Sequence, residues 1–144
     1  MGQETKKDIK QADKRLVDMM FFGLDYGIEN IKINGKGPLV PFVVTEKEGQ
    51  NKLDRFVTER LEDGLSEGLR FLENEKESRF GVIVYDGFLT VDGQKIDAVL
   101  VKGFDRLEEV GYLIGQRYKP KKILRSFGLI GNPAFIGNEE QVLK

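Results

Sequence analysis

The sequence predicts an α+β domain in which two helices pack on one face of an antiparallel meander of four to five strands. Three observations lead there. Arg79 to Phe104 holds two runs of β-branched and aromatic residues joined at Asp92-Gly93, a hairpin signal because both central residues of the tight turn need positive φ. Two stripes of apolar residues at helical spacing precede it. The strand-like pieces that follow it are joined by short connections, which favour antiparallel neighbours.

Taking Asp92-Gly93 as the loop places Val91 opposite Gln94 and sets the rest of the register. One face then carries Ile83, Tyr85, Leu89, Ile96, Ala98, Leu100 and Phe104, and calls for core. The other carries Val82, Val84, Phe88, Val99 and Val101 with Asp86 and Asp97, too apolar for a simply solvated surface.

In chain order, residues 4 to 24 read as an amphipathic helix on Ile9, Ala12, Leu16, Met19, Met20 and Leu24, and the cluster Met19 to Phe22 reads as core. Gly23 and Gly27 supply stop signals, and Ile28 to Ile33 reads as a short extended piece before the Asn34-Gly35 turn. Leu39 to Thr45 is a strand by composition, and because Pro38 and Pro41 lack an amide donor it either belongs at a sheet edge or starts at Phe42. Glu46 to Asn51 is a polar turn. A second helix over Leu53 to Asn74 follows from Leu53, Phe56, Val57, Leu61, Leu65, Leu69 and Leu72. Gly64 and Gly68 beside that stripe imply close approach of another backbone, or else a kink.

Beyond the hairpin, Asp105 to Tyr118 fits both a capped helix and an alternating strand, and the strand is taken because Gly111 and Gly115 weaken a helix. Ile123 to Ile130 reads as a further strand, Gly131-Asn132-Pro133 as a turn, and Ala134 to Ile136 as a last extended piece. Residues 1 to 3 and 138 to 144 read as polar tails on one domain spanning 1 to 144.

Composition removes several functions. With neither histidine nor cysteine among 144 residues, imidazole relays, thiol catalysis, disulfides and the usual zinc ligand sets are excluded. A formal charge of -1 argues against a dedicated polyanion binder. The apolar run Leu16 to Leu24 is broken by Asp18 and follows a charged segment, so neither a signal peptide nor a span is expected, and the expected location is cytoplasmic with no membrane partner. No cofactor is expected: Gly35-Lys36-Gly37-Pro38 leads into a proline-bearing strand, where a phosphate loop needs a helix N-terminus.

Three readings of function remain. The leading one is a non-catalytic interaction or scaffold module that associates through Val82, Val84, Phe88, Val99 and Val101, most simply as a homodimer, or else with another protein. The second is a Mg²⁺-dependent enzyme: Asp97 faces Phe88 and Asp86 lies diagonally from it on the same face, within about 8 Å by sheet geometry. A nuclease-type motif is not completed there, since Leu100 stands two residues before Lys102 where an acid is wanted. The third is weak nucleic-acid binding through Arg117, Tyr118, Lys119, Lys121, Lys122 and Arg125, with the cations on phosphates and the ring under a base.

Overall fold

In the computed structural model the Asp92-Gly93 turn forms with φ of 50° and 78°, and the ribbon around it is the longest paired unit of the fold. The structure describes residues 6–35 and 37–144; the expected tail at 1 to 3, the first two residues of the expected first helix and Lys36 lie outside them. β3 (Phe80–Val91) and β4 (Gln94–Asp105) pair in the expected register, with Val84 opposite Val101, Phe88 opposite Asp97 and Val91 opposite Gln94.

The protein is α+β, with one antiparallel sheet of six strands in the order β2-β1-β3-β4-β5-β6. β1 (Phe42–Lys47) begins just after Pro41, as the missing proline amide requires. β2 (Gln50–Arg55) is the strand the sequence reading did not anticipate. Leu53, expected to open the second helix, pairs with Val44 instead, because Glu48 and Gly49 take φ of 53° and 81° and reverse the chain. β5 (Val110–Lys119) is the strand chosen over the helix. β6 (Gly128–Glu140) replaces two short strands and part of the expected tail with one long edge strand.

β6 stays continuous because Gln116 spans its irregular middle. The buried Gln116 amide donates to the carbonyls of Ile130 and Gly131, where β6 slips register against β5. The last residues are core rather than tail: Gln141 donates to the carbonyls of Asp105 and Glu108, and Leu143 is fully buried.

The first helix starts later and ends later than expected. A 3₁₀ turn (Ile9–Gln11) precedes α1 (Lys14–Asn34), which is capped by Asp13 through its acceptance of the Arg15 amide. Gly23 and Gly27 do not stop it, for they lie where it meets the sheet. A Cβ at Gly27 would sit 3.0 Å from Leu39, 3.1 Å from Val84 and 3.3 Å from Val99. Gly35, with φ of 81°, ends it. Within the cluster Met19 to Phe22 only the methionines are buried, since successive helical residues turn by about 100° and Phe21 and Phe22 swing toward solvent.

α2 (Leu61–Asn74) packs on the opposite face from α1, correcting the expectation of two helices on one face. α1 covers Val82, Val84, Val99 and Val101, whereas α2 covers Val43, Ile83 and Phe104. Topology explains this. β2 and β3 both run antiparallel to β1 and flank it, so they are parallel to one another, and α2 is the crossover that joins them over one face. That leaves α1 to cover the other. The close backbone approach read from the sequence is made at Gly64, where a Cβ would lie 2.8 Å from the Phe56 carbonyl oxygen, whereas at Gly68 a Cβ would meet side chains, 3.3 Å from Val43 and colliding with Ile83.

Candidate functional site

Where the C-terminal end of α1 meets the sheet, the chain before β1, the middle of β3 and the end of β5 enclose a cleft of about 450 Å³. Asp86 of β3 and Tyr118 of β5 reach it because both belong to the α1 face, beyond the point where β1 stops covering β3. The Tyr118 hydroxyl lies 2.8 and 2.9 Å from the two Asp86 oxygens, and the Leu39 amide donates to Oδ2 at 2.9 Å. Gly37 is confined by the same contacts. A Cβ there would collide with the Asp86 carboxylate and lie 2.8 Å from the Tyr118 hydroxyl.

The electrostatics follow from burial. Desolvation raises the Asp86 pKa, and the charge of Asp97 adds to it, against the stabilising donors Leu39 and Tyr118. Tyr118 is raised too, first by burial and then by the adjacent Asp86 charge. The carboxylate therefore works as a clip joining β3, β5 and the segment that leads into β1.

Asp86 and Asp97 both line this cleft, together with Phe88, Lys121 and Lys122. The sequence reading placed the two carboxylates on one sheet face, but missed that Asp86 already accepts internal hydrogen bonds. Tyr118 and Leu39 are far from Asp86 in sequence, so no local spacing announces them. Among the described residues no group of three or more acidic side chains is gathered as a metal site would need.

The expected valine interface is corrected. Val82, Val84, Val99 and Val101 are each 0% exposed beneath α1, so no partner can reach them without displacing that helix. Phe88 alone of that set is open, at 60%, with the Lys95 ammonium 5.8 Å from its ring.

The basic segment is divided by the structure. Lys119, Lys121, Lys122 and Arg125 are exposed around the connection between β5 and β6. Tyr118 is 3% exposed and stacked on Phe127 at 5.7 Å, so the ring expected under a base is committed to the core. The tip of this connection is aliphatic, Ile123 and Leu124 being 100% and 98% exposed, a feature hidden in the sequence by their assignment to a strand.

A second groove, of about 370 Å³, runs between α1 and β6 and is lined by Val17, Phe21, Ile114, Pro133, Ala134 and Phe135. Phe21 and Phe135 stay 38% and 37% exposed along it, while Phe22, next to Phe21 on α1 and 50% exposed, turns away from the groove toward Tyr26 at 6.2 Å. Comparisons with protein-family models, curated proteins and solved structures find no match.

Proposed function

We propose that this domain is a non-catalytic interaction module that self-associates, and that its contact surface is the aromatic patch on α1 and β6. The observation that carries the reading is the exposure of Phe21 and Phe135 along one apolar groove, with Phe22 exposed on the adjoining stripe of α1. Three aromatic rings left half in water cost solvation free energy that a partner recovers.

A second copy of the chain fits this patch by charge. The outward stripe of α1 runs Lys14, Asp18, Phe22, Asp25, Glu29, all exposed, with Lys14 already holding Asp18 at 3.6 Å. Two such helices laid antiparallel about a two-fold axis near Phe22 place Lys14 of each against Glu29 of its partner, with the rings at the centre. The free edge of β6 is a poorer route, since Pro133 and two register shifts blunt it against strand addition.

Light scattering on the eluting peak tests this reading. A dimer is expected at concentrations of about 100 μM or below, and Phe22→Glu should raise the dissociation constant at least about tenfold. Lys14→Glu should weaken the dimer, and adding Glu29→Lys should restore it. A wild-type chain that remains monomeric at about 100 μM sinks the reading.

A further inference from the structure

The connection between β5 and β6 ends in a tight turn whose two central residues are aliphatic and exposed. The Arg125 amide donates to the Lys122 carbonyl at 3.1 Å and the Lys122 amide returns a bond to Arg125 at 2.7 Å, which puts Ile123 and Leu124 at the two central positions. Neither residue takes a positive φ, so the turn itself accepts most side chains and does not call for aliphatic ones. The two positions here carry aliphatic side chains fully in water, so their presence brings the folded chain no packing.

The surroundings are basic. Lys119, Lys121, Lys122 and Arg125 are exposed about the tip, and none of them lies within an ion pair among the described residues. The turn is also braced: the Lys121 amide donates to the carbonyl of Gly35 at 2.8 Å, tying its base to the end of α1. There the last turn of the helix adds the exposed Lys32 and Ile33, the latter 80% exposed.

We infer that this end of the molecule docks on an anionic lipid surface. Ile123 and Leu124 enter the boundary between headgroups and acyl chains, and the four cations around them meet the lipid phosphates and carboxylates. Neither element suffices alone, as stable peripheral attachment takes an apolar insertion together with a polybasic patch. No spanning segment is required, which agrees with the finding that no described helix is long and apolar enough to cross a membrane. The aliphatic tip favours lipid over single-stranded nucleic acid, which selects aromatic platforms, and the one aromatic in the basic segment is buried. This inference is independent of the self-association proposed above.

Vesicle flotation with the full chain tests it. Vesicles of phosphatidylcholine with roughly one-third phosphatidylserine should carry the protein, and pure phosphatidylcholine should not. The exposed pair Ile123→Ser with Leu124→Ser should lower the partition coefficient at least about tenfold. Lys121→Glu with Lys122→Glu should abolish binding at physiological salt. Because the chain has no tryptophan, Leu124→Trp supplies a single fluorophore whose emission should shift to the blue on anionic vesicles. Leu107→Trp, in the exposed turn at the opposite end of β5, should not shift. The inference is overturned if wild-type protein stays in solution with both vesicle types. It is equally overturned if binding survives the serine pair, or if a single-stranded oligonucleotide is bound while anionic vesicles are ignored.

Discussion

Asp86 shows how much one side chain can hold. Removing it in Asp86→Ala strands the buried Tyr118 hydroxyl and the Leu39 amide, and an unsatisfied buried group costs about 1 to 3 kcal/mol. A loss of about 3 kcal/mol in urea unfolding is expected for Asp86→Ala, with a smaller loss for Asp86→Asn, which keeps a carbonyl acceptor. The pH dependence of the two notable aspartates has opposite sign. Asp86 holds its proton more tightly when folded, so its contribution declines as pH rises from the ordinary 3.8 toward its raised value. Asp13 is lowered to about 2, first by its side-chain bond with Arg15, so its contribution is full above 3.8 and is lost as pH falls through about 2. Urea titrations should therefore show the stability gap between wild type and Asp13→Asn narrowing across that acid window. The diagonal placement of Asp86 and Asp97 on one face was legible from the hairpin register, because two strands and a two-residue turn leave one solution. The role of Asp86 was not, since its partners come from chain segments whose placement depends on the whole sheet.

At the scale of elements, the glycines separate local preference from packing. Helix propensity alone favours Ala over Gly by about 1 kcal/mol, so an exposed Gly27→Ala would stabilise α1. Gly27 is instead buried against the sheet, with Leu39, Val84 and Val99 between 3.0 and 3.3 Å from where a Cβ would stand. Gly27→Ala should destabilise by about 1 to 3 kcal/mol in thermal or urea unfolding, and a neutral result would show that the valines can yield. The same packing explains why α1 continues past two glycines that read as stops. β2 was missed for a related reason: Leu53, Phe56 and Val57 extend the helical stripe of Leu61 to Leu72, and periodicity cannot see that Glu48-Gly49 turns the chain back on β1. β3 and β4 were legible because their alternation and turn lie within one continuous stretch.

For the molecule as a whole, the helices on opposite faces answer a question the ribbon raised. Both of its sides are apolar, and two helices on one face would have left the valines for a partner; one helix on each face leaves them inside the monomer. The end of the chain closes the second layer. Leu143 packs with Leu72, Ile83 and Phe104, and Gln141 holds the β4–β5 turn through two carbonyls. Deleting residues 141 to 144 should cost about 3 to 5 kcal/mol, from one large buried side chain and the carbonyls left without donors. An unchanged denaturation midpoint would show that α2 is anchored without this segment.

The sequence by itself determined the α+β class, the hairpin and its register, the strand at β5, and the absence of imidazole and thiol chemistry. These rest on composition, or on residues close enough in the chain for a turn to decide their pairing. Only the tertiary structure decided which face each helix covers, that Asp86 is bound internally, and that aromatic side chains on α1 and β6 and the aliphatic tip at Ile123 and Leu124 are left to solvent. Those outcomes depend on which segments arrive at the same place, and alternation along a strand or a stripe along a helix marks a side as apolar without saying what comes to cover it.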